Sequence, residues 1–181
     1  MRSISCGGTG ALLPTEATRC KARTATLVIV KSPAELAALL KPGDRLFGLD
    51  LGEKTIGIAL TDVLRTVATP FETLARVKFT ADAEALIALI KKHQVTGLVI
   101  GLPLNMNGTE GPSAQSARAF ARNFEPKHPI PILFWDERLS TSAVTRTLIE
   151  ADVSREKRKL VVDKMAAAFI LQGVLDAMRR A

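Results

Sequence analysis

Leu46-Phe47-Gly48-Leu49-Asp50-Leu51-Gly52-Glu53-Lys54-Thr55-Ile56-Gly57-Ile58-Ala59-Leu60 is the stretch that decides how the rest of the chain is read. Two apolar runs, Leu46–Leu51 and Thr55–Leu60, flank the tight turn Gly52-Glu53-Lys54, which predicts a β-hairpin. Asp50 breaks the first run. Aspartate is a poor strand residue, and burying an unpaired carboxylate costs several kcal/mol or more, so something must compensate it. Thr66–Leu74 then reads as a third strand, with Pro70 marking an edge position or a bulge.

Downstream, strands and helices alternate. Thr80 is placed to cap a helix through about Lys92, with Ala83, Leu86, Ile87 and Ile90 at helical spacing. Gly97–Leu102 is wholly apolar and so central. Pro112 starts a helix to about Asn123, and Ile130–Trp135 is a fifth strand. Ser140 or Thr141 caps a helix to about Glu150, and Ser154 or Arg155 opens a long last helix to about Arg180. The expected fold is α/β, with a mixed five-stranded sheet made of a three-stranded meander plus two parallel strands. Helices are expected on both of its faces. Upstream, Ser32-Pro33-Ala34-Glu35 predicts a short capped helix within 32–44. Residues 1–31 read as a leader, whether a disordered tail, a transit peptide or a start placed too far upstream, which leaves 45–181 as the domain.

The chain has 181 residues, about one domain, with an ordinary globular balance of 47% apolar and 24% charged side chains. Two cysteines cannot make a disulfide framework, and neither shows metal-binding spacing. No apolar run approaches a membrane span. The net charge of +7 is unevenly spread. Residues 1–45 carry seven basic and three acidic side chains, 46–152 eleven and twelve, and 153–181 seven and three. Basic ends on a near-neutral middle suit a polyanionic partner.

Three further acids stand where structure alone does not ask for them. Asp136 and Glu137 close the strand Ile132-Leu133-Phe134-Trp135. Successive strand residues face opposite sides, so only one of them can share the face of Asp50. Asp163 lies in the last helix, on one stripe with Leu160, Ala167, Ile170, Val174 and Ala177. Carboxylates gathered at one sheet edge are the donor set of hard cations. Two such ions about 4 Å apart serve in-line phosphodiester displacement. The loop Gly101–Gly111 follows the central strand and opens a helix, a place that receives phosphate. Its Asn105, Asn107 and Thr109 are short hydrogen-bonding residues suited to sugar or phosphate oxygens.

Four blocks together resemble the YqgF/RuvX family of pre-16S rRNA nucleases, which have a ribonuclease H-like fold related to Holliday junction resolvases. They are Gly48-Leu49-Asp50-Leu51-Gly52 with Lys54 and Gly57, the Gly101–Gly111 loop continuing to Ala114-Gln115 and Arg118, Asp136-Glu137-Arg138-Leu139-Ser140-Thr141, and Asp163 with Ala166-Ala167 and Ile170-Leu171-Gln172. The resemblance covers residues 45–181. It implies Asp50, Glu137 and Asp163 as catalytic and metal-holding acids for Mg²⁺ or Mn²⁺, as two ions, and it alone selects Glu137 over Asp136. Thr55 stands where many members have a basic residue, which puts one phosphate contact in doubt. The implied activity is a metal-dependent endonuclease of 5′-end maturation of pre-16S rRNA, in the bacterial cytoplasm, acting on RNA or branched DNA as a monomer or weak homodimer. Lys54, Arg118, Arg138, Arg155, Lys157 and Arg158 are the basic residues best placed for phosphates. The competing readings are a Holliday junction resolvase and a non-catalytic RNA- or ribosome-binding module. An actin-like phosphotransfer domain leaves Glu137 and Asp163 unexplained.

Overall fold

The hairpin forms as β2 (Arg45–Leu51) and β3 (Thr55–Thr61), antiparallel, with Asp50 opposite Gly57 and Gly48 opposite Ala59. The computed structural model describes residues 29–104, 109–136 and 155–180, with the side chains of the last helix described from residue 162. β4 (Ala68–Ala75) completes the meander at the sheet edge. Its register slips between Ile58 and Ala59, where Glu72 and Pro70 are the successive partners and Phe71 is the extra residue. Pro70 therefore sits on an edge strand beside a bulge, the place where a missing N–H costs least.

β5 (Val95–Leu102) pairs parallel with β2 and with β6 (Ile132–Asp136), so β2, β5 and β6 all end at one edge. The sheet has six strands in the order β1-β6-β5-β2-β3-β4, not five. The added strand, β1 (Ile29–Val30), pairs parallel with Ile132 and Leu133. Two residues are too short to show a period, although the apolar run Leu27-Val28-Ile29-Val30 was its trace in the sequence. The sequence reading placed Ile29 and Val30 in the leader; here they belong to the sheet. α1 (Pro33–Leu39) follows, capped by Ser32, whose Oγ accepts from the Glu35 N–H at 3.2 Å, while the Glu35 carboxylate accepts from the Lys31 N–H at 2.8 Å.

Strand parity divides the core. Phe47, Leu49, Ile56, Ile58, Leu98, Ile100 and Ile132 face α2 (Phe79–His93) and α3 (Pro112–Phe124). Leu46, Ala59, Val99, Leu133 and Trp135 face α4 (Arg155–Arg180), joined by Val30 and Leu36. α2 starts two residues earlier than the sequence indicated, at Phe79 with Lys78 as its N-cap, rather than behind a capping Thr80. The Phe79 ring, edge-on to Phe120 at 5.5 Å, anchors that start in the core. Asp82, in the first turn, is buried and accepts the Val77 N–H at 3.1 Å. The helix expected over 140–150 lies outside the described residues.

The β3–β4 loop is tied from within. Asp62 accepts the N–H groups of Thr66 and Val67 at 2.6 and 2.9 Å and the Thr66 hydroxyl at 2.7 Å. Those donors, the Val67 N–H first, hold its pKa down at about 2. No described helix is long and apolar enough to cross a membrane.

Candidate active site at the carboxyl edge of the sheet

Asp50 is the penultimate residue of β2, at the edge where the parallel strands end and where open α/β sheets hold their ligands. Its direct partner across the hairpin is Gly57, and opposed residues of an antiparallel pair share a face. A Cβ on Gly57 would lie 2.1 Å from the Asp163 carbonyl oxygen and 2.4 Å from its carbonyl carbon. One strand further in, a Cβ on Gly48 would lie 2.7 Å from both the Ala167 carbonyl oxygen and Leu171 Cβ. Glycine at both positions lets α4 lie directly on the hairpin. That contact brings Asp163 onto the face of Asp50. Thr55, at the start of β3, donates its hydroxyl to Asp163 Oδ2 at 2.5 Å, a short charge-assisted bond that orients the carboxylate.

Asp136 has the opposite parity. In β6 it follows Trp135, which packs on α4 with its ring nitrogen 3.0 Å from where a Cβ of Gly173 would stand, and it shares its side of the sheet with Ile132 and Phe134. The face of Asp50 is therefore not the face of Asp136. Glu137 lies outside the described residues, as do Asn105, Asn107 and Arg138. Among the described residues no group of three or more His, Cys, Asp or Glu gathers for a metal. The acids that the hairpin and α4 place on this face are Asp50 and Asp163, whose donors are all oxygen, which fits a hard divalent cation and not a thiophilic one.

The other expected contacts fall into two sets. Lys54 is exposed at the hairpin tip, and Thr109 is exposed in the β5–α3 loop. Arg155, Lys157 and Arg158 lie in the first turn of α4. Arg118 is engaged within the protein: its Nε donates to Glu110 Oε1 at 2.7 Å, its Nη2 lies 2.5 Å from the same oxygen, and its guanidinium stacks 5.0 Å from the Phe134 ring centroid. The hydrogen bond from Arg118 lowers the pKa of Glu110, so this acid is a partner of Arg118. Glu110 also bridges Leu104, so the pair braces the base of the loop.

A cleft of about 690 Å³ opens beside Asp50 on the α2–α3 side of the edge. The β4–α2 connection Arg76-Val77-Lys78 forms one wall and Pro112, Ser113 and Ser116 of α3 the other. Arg76 Nη1 donates to the Gly52 carbonyl at 2.6 Å, and its backbone N–H to the Lys54 carbonyl at 2.9 Å, which clamps the hairpin turn. Asp163 is not part of this wall. The acid pair and the cleft lie on the two sides of the sheet edge and meet at Asp50. Neither Arg76 nor Lys78 stands out in the sequence, because both lie in the short connection between β4 and α2, outside every motif.

The family described as "RuvX: Holliday junction resolvase" matches residues 44–177. A relative in Paramagnetospirillum magneticum, provisionally named a pre-16S rRNA nuclease, is 63% identical over 147 residues, 81% of this chain and 95% of that protein. One in Ruegeria pomeroyi with the same provisional name is 53% identical over 152 residues, 84% of this chain and 99% of its own. Among solved structures, Thermus thermophilus RuvC in complex with a Holliday junction substrate matches with a TM-score of 0.47 at 9% identity, covering 70% of this chain and 91% of that one. The yeast mitochondrial Holliday junction resolvase matches at 0.44 and 13%, covering 80% and 83%.

Proposed function

The chain belongs to the RuvX family, and from that premise we propose that it is a metal-dependent endonuclease of pre-16S rRNA 5′-end maturation, working in the bacterial cytoplasm. The observation that carries the reading is the seating of Asp163 on the face of Asp50 through Gly57. A strand acid and a helix acid, distant in sequence, share one face of the sheet edge. Two like charges held on one face repel, and a divalent cation between them would offset that repulsion. Glu137, which the family resemblance selects, is the third acid of this proposal.

Bound Mg²⁺ or Mn²⁺, as two ions, would activate a water and neutralise charge on the phosphate. The remaining work falls to the chain. Asp50 and Asp163 supply oxygen donors from two regular elements, whose packing fixes where the two backbones stand. Thr55 holds the Asp163 carboxylate in one orientation. In the reaction a water oxygen bonds to phosphorus, the bond from phosphorus to the leaving oxygen breaks, and one fragment keeps the phosphate while the other ends in a hydroxyl.

Purified protein with Mn²⁺ should cleave a pre-rRNA 5′ leader fragment. Asp50→Asn should lower that rate by more than about 100-fold while leaving the unfolding transition in place. Undiminished cleavage by the variant would sink the metal-site assignment. The family's description favours a second substrate, the four-way DNA junction. Offering a junction in parallel decides between them, since preference for it would make the chain a resolvase.

A further inference from the structure

We propose that Arg76-Val77-Lys78 is a seat for the sugar–phosphate backbone of the bound strand, on the flank of the scissile bond, and this rests on the nuclease reading above. The segment breaks local rules that a purely structural connection would obey. Lys78 is the N-cap of a fifteen-residue helix and makes no side-chain cap. Ser, Thr, Asp and Asn are preferred there, and a cation is opposed by the positive end of the helix dipole. Val77 is 78% exposed at the lip of the cleft. The buried carboxylate of Asp82 takes the Val77 N–H, which fixes the connection in place. Breaches of local preference with no structural return mark functional positions.

The placement suits a phosphodiester. The cleft wall carries Arg76 and Lys78 beside Asp50, with Ser113 and Ser116 opposite. Glu53 and Asp82 also line it, but Asp82 is 5% exposed and turned to the backbone. A guanidinium has five donors, and the Gly52 carbonyl takes one of them, which fixes Arg76 to the same turn that follows Asp50. A strand crossing the sheet edge from the acid pair enters this cleft. There a cation on each side of an exposed valine offers charge to phosphates and an apolar contact to a sugar between them.

Lys78→Ser provides a test in which stability and binding move in opposite senses. The better cap should raise Tm by about 3 °C. Binding of a short single strand, made once as RNA and once as DNA and measured in the Asp50→Asn background, should weaken roughly fivefold for both. The slope of log affinity on log salt should become shallower by close to 1. Lys91→Ser, which removes the same charge at the far end of the same helix, should change neither affinity nor slope. Unchanged affinity and slope in Lys78→Ser would overturn the seat while wild-type cleavage left the nuclease reading intact. A loss confined to RNA would replace the phosphate contact by one to the 2′-hydroxyl, and equal losses in both lysine variants would reduce the effect to net charge; each overturns the proposal. Wild-type protein that neither binds nor cleaves would overturn both readings.

Discussion

Thr55 shows how one hydroxyl takes on a role that its position in the sequence does not announce. Its partner Asp163 is 108 residues away, and the 2.5 Å bond depends on α4 reaching the hairpin. Read against family pattern, threonine here looked like a lost phosphate contact; in the structure it orients a carboxylate proposed to be catalytic. Valine is nearly isosteric and suits a strand, so Thr55→Val keeps the shape and removes only the donor. Thr55→Val is expected to lower kcat about tenfold with little change in KM, the size of effect seen when a group that orients a metal-holding carboxylate is removed. Thr55→Ser should restore most of it. Steady-state kinetics on the cleaved substrate decide the matter: a serine variant as slow as the valine one would show that the hydroxyl does not act by donating to Asp163.

At the scale of elements, the meander, the central strand and the three long helices were legible because each carries an unbroken period or a strong punctuation residue, such as Pro112 at the start of α3. The misplaced start of α2 has a different cause, since the Phe79–Phe120 contact and not a capping side chain fixes it. The face that Asp136 takes could not be read from β6 alone, because it depends on which side meets α4, and that comes from Trp135 packing at Gly173. The same helix–sheet contact yields a prediction. In Gly57→Ala the new methyl would collide with backbone atoms of Asp163, which no rotamer change relieves. The expected cost is about 3 kcal/mol, at the upper end for an overpacked core. Cleavage should fall further than stability accounts for, because α4 must lift and take Asp163 with it. Urea unfolding together with rate measurements on the folded fraction would show this, and a variant with wild-type stability would mean that α4 is not seated on Gly57.

Over the whole molecule, the basic excess that first suggested a polyanion says less than the arrangement of the sheet edge. Acids lie on the α4 side and two cations on the α2–α3 side, with Asp50 between them. What keeps the edge rigid is the core on both faces, and the α4 face is partly closed by the segment before β2. Val30 is 2% and Leu36 0% exposed, and both pack with the residues of α4 that carry Asp163 to the hairpin. The sequence marks α1 through its serine cap and Pro33, but burial of Leu36 depends on α4, which arrives more than a hundred residues later. A chain beginning at Ile29 and one beginning at Lys41 differ by β1 and α1. Loss of two fully buried apolar side chains should make the shorter chain about 4 kcal/mol less stable in denaturant titration. It also leaves the outer edge of β6 without its parallel partner. Equal midpoints for the two chains would show that residues 29–40 are appended to the domain and not part of its core.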